Sequence, residues 1–199
     1  NLSVMGYAPD LYYTGRSPLE ALSIGVKMSP EDVSYRCNLV TLSEDENYEN
    51  KTMRDYSAGE ITTSEAHELI SFLAENLPLE GAELYGGVSY RHCLLLKNAD
   101  TGAILTPPHD ISDRKITDYL PKGEHADRFL TLMKKSFDML KDHPVNIERR
   151  KKGLNPANSI WLWGEGRKPA LDDFYKLHGL HGAVISAVDL IKGIGIAAN

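Results

Sequence analysis

VSYRCNLVTL, residues Val33 to Leu42, is rich in residues that suit a pleated, half-buried surface and predicts a strand. Working outward from it, Ser159–Trp163 (SIWLW) reads as a second, buried strand. Ala82–Tyr85 and Val88–Lys97 read as two more around Gly86–Gly87. Asn98–Gly102 is a turn, and Ala103–Thr106 reads as a short return strand after it. Gly182–Ile185 reads as a further apolar strand. Helical signals lie between these runs. Pro18 opens a short helix to about Ile24, since proline is favoured in a first turn. Thr62 and Glu65 fit a capping box, and Ala66, Leu69, Ile70, Leu73 and Leu77 follow at helical spacing. The longest stripe runs from about Glu124 to Lys141, through Ala126, Phe129, Leu130, Met133, Phe137 and Leu140. His143–Pro144 stops it, and Asn146–Arg150 suits a separate helix. Leu171–Leu177 is a short helix closed by Gly179, and Ser186 with Asp189 reads as the cap of a final helix through Lys192. Ser43–Lys51 is an acidic loop. Strands and helices are thus intermixed, which predicts a compact α+β domain with a mixed or antiparallel sheet and packed helices.

Composition narrows the function classes. Of 199 residues, 25% are charged and 42% hydrophobic, which excludes a wholly disordered chain. Twenty-two Lys and Arg against 28 Asp and Glu give a net charge of −6, which argues against nucleic acid as a partner. The one basic run, Arg149–Lys152, reads as a solvated helix end. Cys37 and Cys93 are too few for a disulfide scaffold and read as buried, reduced thiols. No run reaches the roughly 18 apolar residues of a membrane span, and no signal-peptide pattern opens the chain. A cytoplasmic protein without a membrane partner is expected. The first residues read as the middle of an element and the last as the early turns of a helix, so a piece of a longer polypeptide is expected.

No P-loop, H-E-x-x-H, G-x-S-x-G or C-x-x-C pattern occurs. What remains is a set of cations and histidines in turn-rich sequence, where binding groups concentrate. Arg16 sits in the turn Thr14–Pro18, and Arg54 precedes the capped helix. Arg91–His92 lies inside an apolar strand, where a salt-bridged structural pair competes with a binding role. His109–Asp110, after two prolines, places a carboxylate beside an imidazole; an exposed turn is the alternative. Arg167–Lys168 follows the Gly164–Gly166 loop, where close backbone approach and two cations suit a phosphate or carboxylate, and Lys192 lies on the final helix. His178 and His181 have a metal-like spacing but no accompanying ligand cluster. The residues predict a domain whose Arg, Lys and His groups meet a small anion. Spacing alone leaves open whether they converge.

The strings GYAPDLYYTGRSPLEALSIGV, SYRCNLVTL, TPPHDIS, NSIWLWGEGRKPAL and HGLHGAVISAVDLIKGIG together resemble the archaeal-type 2,3-bisphosphoglycerate-independent phosphoglycerate mutases of the alkaline phosphatase superfamily. The resemblance runs from about Gly6 to Gly195. It implies an inserted cap domain at residues 26–182, flanked by incomplete core segments at 1–25 and 183–199. It implies a parent enzyme that interconverts 3- and 2-phosphoglycerate through a phosphoserine, with divalent metals (Mn, Mg or Zn). The nucleophile and metal ligands would lie outside this chain, so no catalytic residue and no metal are expected in it. The cap is expected to close over the core, and the residues expected to bind phosphoglycerate across this chain are Arg16, Arg54, Arg91, His92, His109, Asp110, Arg167, Lys168 and Lys192. Ser17 stands where the family usually has a second glycine in its G-R-G-P string. Two other readings stay open: a homoserine-kinase-like phosphotransferase of the same superfamily, and a non-catalytic anion-binding module.

Overall fold

In the computed structural model, which describes residues 1–44 and 47–198, Val33–Leu42 is the central strand, β1. All ten of its residues are buried, because it is paired along both edges and covered on both faces. On one edge it pairs with β4 (Arg91–Leu96), with Arg36 opposite Cys93 and Asn38 opposite Arg91. On the other it pairs with β7 (Ser159–Arg167), with Arg36 opposite Trp163. β2 (Met53–Asp55) joins the far end of β1, and β3 (Ala82–Tyr85) joins β4. Every pairing is antiparallel, which decides between the mixed and antiparallel alternatives.

Residues after the Asn98–Gly102 turn do not return to this sheet. β5 (Ala103–Ile104) pairs instead with β6 (Lys122–Gly123). Both edges of β4 are already taken by β1 and β3, and the turn is held against the start of β1. There the Asn98 amide donates to the Asp32 carboxylate and the Ala99 amide to the Glu31 carbonyl. β7 runs on through Gly164–Arg167, which were expected as a loop, because the first residues of β1 offer them partners.

α3 (Thr63–Asn76) and α4 (Ala126–Leu140) cover one face. Leu69, Leu73, Phe129 and Met133 pack there with Tyr35, Cys37, Leu39 and Leu94. Burying such side chains stabilises the fold by about 1.5–3 kcal/mol each. The capping box forms as expected: Thr62 Oγ1 accepts from the Glu65 amide and Glu65 Oε2 from the Thr62 amide. α5 (Pro144–Lys151) corrects the reading of the basic run, because Arg149 is buried. Its guanidinium donates to Glu65 Oε2 at 2.8 Å and to the carbonyls of Ala58 and Asn155, so it ties α5 to the start of α3.

The opposite face carries α2 (Ser17–Ser23), whose Ala21 packs with Cys93 and Leu95. α7 (Asp189–Ala197) lies against α2, and Gly193 permits the approach: a Cβ there would sit 1.7 Å from the Leu19 carbonyl oxygen. α1 (Pro9–Tyr12) and α6 (Phe174–His178) complete this layer. Ser186 does not cap α7. Its hydroxyl accepts from the Val188 amide, and the helix starts only at Asp189, three residues after Ser186. Gly182–Ile185 forms no strand; it lies over α7 instead, with Val184 beside Gly195. Both cysteines are buried and free, with burial pushing the Cys93 thiol up to about 12. The acidic loop includes a short helical turn at Tyr48–Asn50, while Asp45 and Glu46 lie outside the described residues. Among the described residues, no helix is long and apolar enough to cross a membrane.

Candidate functional site

Strand alternation sends every second side chain to the same face. The register therefore places Arg36 and Asn38 of β1, Arg91 of β4 and Trp163 of β7 side by side beneath α2. Trp163 Nε1 donates to Asn38 Oδ1 at 3.0 Å, and Asn38 Nδ2 donates to the Tyr56 carbonyl at 3.1 Å. The Arg36 guanidinium lies 4.8 Å from the centre of the Trp163 ring and meets the Glu20 carboxylate. Burial, then the neighbouring Arg16 and Arg91, lower its pKa to about 10, so it remains a cation at neutral pH.

The second layer of the site depends on how closely the segment before α2 approaches β7. A Cβ on Gly166 would sit 2.7 Å from the Thr14 carbonyl oxygen, so only glycine fits there. Thr14 Oγ1 also donates to the Arg167 carbonyl at 2.6 Å. This docking sets Arg16 at the head of α2, 5.9 Å from the Trp163 ring, with its Nε donating to Glu20 Oε1 at 2.6 Å. The sequence-level role for these glycines, backbone approach to a ligand, becomes approach of one chain segment to another.

The rim is aromatic and cationic. His109, on a helical turn at Pro108–Ile111, lies 5.2 Å from Trp163 and 6.0 Å from Tyr56, ring to ring. Asp110 Oδ1 is 3.7 Å from His109 Nε2. Tyr56 meets Tyr90 edge-on at 5.9 Å, and Arg91 lies 5.5 Å from the Tyr90 ring. Asp189 at the start of α7 sits between Arg91 (3.9 Å) and Lys192 (3.6 Å). Four cations, Arg16, Arg36, Arg91 and Lys192, thus share two carboxylates, Glu20 and Asp189. With the Asp110 carboxylate on the rim counted as well, one positive charge is left over beside a wall of aromatic rings. Such a cluster of cations can hold a small dianion through charge-assisted hydrogen bonds from arginine.

Of the residues singled out in the sequence, Arg16, Arg91, His109 with Asp110, and Lys192 come together here. Four others do not. His92 follows Arg91 on β4, and the period of two sends it to the other face. Its ring is buried there, with Nδ1 accepting from the Gly87 amide at 3.0 Å. Burial, then His67, Arg36 and Arg91, push its pKa down to about 3, so it is neutral. Arg167 lies four residues beyond Trp163, and its guanidinium donates to the carbonyls of Glu31 (3.0 Å) and Ala99 (2.8 Å). Lys168 is exposed beside it, and Arg54 is exposed on β2, two residues before Tyr56. Sequence reasoning missed Arg36, Glu20, Trp163, Asn38, the tyrosines and Asp189. Arg36 carried a usable signal: a charge inside a strand this apolar needs a partner.

Among the described residues no group of three or more His, Cys, Asp or Glu is placed to hold a metal ion, so the residues do not fit one.

Comparison with known proteins agrees with the sequence resemblance. The family model described as 2,3-bisphosphoglycerate-independent phosphoglycerate mutase matches residues 1–146. The chain is 50% identical over 200 residues to the protein of that name from Methanosarcina barkeri (strain Fusaro / DSM 804), covering 100% of this chain and 49% of the relative. It is 48% identical over 201 residues to that of Methanosarcina acetivorans, with the same coverage. The chain therefore spans about half the length of the curated relatives it matches. A solved cofactor-independent phosphoglycerate mutase from Thermoplasma acidophilum DSM 1728 superposes with a TM-score of 0.64 at 25% identity, over 99% of this chain and 53% of that one.

Proposed function

Since the chain belongs to the 2,3-bisphosphoglycerate-independent phosphoglycerate mutase family, we propose that it is the substrate-holding part of an enzyme that interconverts 3- and 2-phosphoglycerate in the cytoplasm through a phosphoserine. The observation that carries this reading is the cluster around Trp163, with its surplus of positive charge. Phosphoglycerate brings a phosphate and a carboxylate, each suited to an arginine fork. Arg16, Arg91 and Lys192 supply the part-exposed cations of the rim, Arg36 the buried charge of the floor. His109 offers a hydrogen-bonding edge, with the Asp110 carboxylate 3.7 Å from its Nε2. Arg54 stands at the margin of this cluster, and Arg167, Lys168 and His92 stand outside it. The nucleophile and the Mn, Mg or Zn ions of the reaction would rest on residues outside these 199.

In the same reading, residues 26–182 form the cap, and residues 1–25 and 183–199 belong to the core on which it closes. Closure would exclude water from a phosphoserine that could otherwise hydrolyse. Two features support the division. Leu2, Tyr7, Leu19, Ile194 and Ala198 form a small cluster apart from the main core. Val4, Leu11, Ile185, Val188 and Ile196 of these segments expose apolar side chains. Slow amide exchange throughout both segments of the isolated chain, with no binding of a hydrophobic dye, would contradict it.

The test of the site is a titration of the chain with 3-phosphoglycerate followed by amide NMR, with inorganic phosphate, homoserine and ATP as controls. Saturable shifts at Arg16, Arg91, His109 and Lys192, selective for phosphoglycerate, are expected. Shifts with homoserine and ATP instead would replace the mutase reading with a kinase. Mutase assays on the full-length parent then decide the reaction.

A further inference from the structure

Below the rim, Ser17, Glu20, Arg36, Arg91, Cys93 and Asp189 wall a cavity of about 10 Å³. Buried side-chain donors without a hydrogen-bond partner are few among the described residues, and several converge here: Ser17 Oγ, Arg36 Nε and Arg91 Nε. Native interiors rarely leave such groups unsatisfied. Arg36 Nη1 already meets Glu20, and Ser17 Oγ has the weak Cys93 thiol beside it, so neither contact answers the two Nε–H groups. Arg91 Nε stops 3.9 Å from Asp189 Oδ2, too far for a direct hydrogen bond and a separation that calls for a bridge.

We infer that this cavity is a site for one ordered water molecule, and that Ser17 acts through that water as a positioning residue for Arg91. The volume is about what a single water requires. The polarity also fits water rather than an anion. Two N–H donors face it from β1 and β4, while a carboxylate from α7 and a hydroxyl from α2 face it from the other side. Water has two lone pairs and two protons for these four partners. It accepts from Arg36 Nε and Arg91 Nε, and donates to Asp189 Oδ2 and Ser17 Oγ. An anion oxygen only accepts, and it would lie against Asp189 and Glu20.

The consequence concerns the rim, and this part rests on the reading of the cluster as an anion site. With its Nε held from below, Arg91 keeps its two terminal nitrogens free for a ligand. Without the water the guanidinium relaxes onto Asp189, and its charge is neutralised by the carboxylate that Lys192 also uses.

The experiment is NMR of the Arg36 and Arg91 Nε–H groups in the 199-residue chain, in wild type and Ser17→Ala. In wild type, both groups are expected to show cross-peaks to a long-lived water and slow exchange. In Ser17→Ala, exchange at Arg91 Nε–H accelerates, affinity for 3-phosphoglycerate falls about fivefold, as for one modest hydrogen bond, and the melting temperature barely moves. No water cross-peak on either group overturns the site, as does a phosphate or chloride ion found in the cavity. Unchanged exchange in Ser17→Ala overturns the role of Ser17. A cross-peak that vanishes when 3-phosphoglycerate is added makes the cavity part of the ligand's seat and also overturns the inference. Should Ser17→Ala fail to fold, the wild-type cross-peaks decide. They are recorded without ligand, so failure of 3-phosphoglycerate to bind wild type sinks the proposed function separately.

Discussion

The middle of β7, at Trp163, and its last residue, Arg167, meet arginines in opposite situations. Around Trp163, Arg16 and Arg36 share one carboxylate, and Arg91 and Lys192 share another, so positive charge is left over. At the far end, Arg167 spends its N–H groups on the carbonyls of Glu31 and Ala99, and so ties the start of β1 to the Asn98–Gly102 turn. Both regions carry cations beside β7, but only Arg167 stands on the strand itself; the others come from the head of α2, from β1, β4 and α7. The difference is what their donors find. A guanidinium satisfied by backbone carbonyls is a strut, whereas one competing for a shared carboxylate keeps charge for a ligand.

The largest expected effect tests the floor of the site. Arg36→Met leaves the Glu20 carboxylate in a largely buried position with half its compensation. A loss of about 3 kcal/mol in unfolding free energy is expected, as when one partner of a buried pair is removed. The midpoint of a urea titration measures it, and an unchanged midpoint would mean that Arg36 is not held as described.

Next comes Arg91→Ala in the full-length parent. Loss of charged hydrogen bonds to the transition state corresponds to about 2 kcal/mol, or roughly thirtyfold in kcat/KM. Stability is expected to change far less. A variant with wild-type kcat/KM would remove Arg91 from the cluster.

Arg167→Ala sharpens the comparison from the other side. It should destabilise the chain by about 1.5 kcal/mol through two lost charge-assisted bonds to carbonyls. Binding of 3-phosphoglycerate, measured by calorimetry, should stay the same. Weakened binding with intact stability would restore the direct ligand contact expected from the sequence.

The effect that is smallest at neutral pH, and grows only on acidification, concerns His92. Its pKa is about 3 when folded, against roughly 6.5 in an unfolded chain. Below pH 6.5 the unfolded state therefore binds more protons, and stability falls as pH falls towards 3. The slope approaches about 1.4 kcal/mol per pH unit once the unfolded histidine is largely protonated. His92→Gln should flatten that part of the stability profile while leaving anion binding unaltered. A profile as steep as wild type would contradict a buried, neutral ring.

Much of the fold was legible because its signals are local. The Thr62–Glu65 box, the stripes of α3 and α4, and the β-rich runs of β1 and β4 each depend on residues within a few positions of one another. The separation of Arg91 from His92 was legible too, since adjacent strand residues point to opposite faces, yet the pair was read as one unit. The partners of β5 and the start of α7 were less so. They turn on which edges of β4 remained free and on Ser186 bonding two residues ahead rather than capping.

By itself the sequence determined the main helices α3 and α4, the strands β1, β3, β4 and β7 in outline, the exclusion of a disulfide scaffold, and the supply of cations from which any anion site must be made. Only the tertiary structure decided which of those cations meet. Arg36 reaches Trp163 through a register spanning more than a hundred residues, and Arg16 reaches it because Gly166 lets one backbone lie on another. Asp189 reaches Arg91 because Gly193 brings α7 onto α2. Periodicity is a property of neighbours along the chain. Convergence of charge depends on strand register and on the closeness of backbones, and neither is written at any one position.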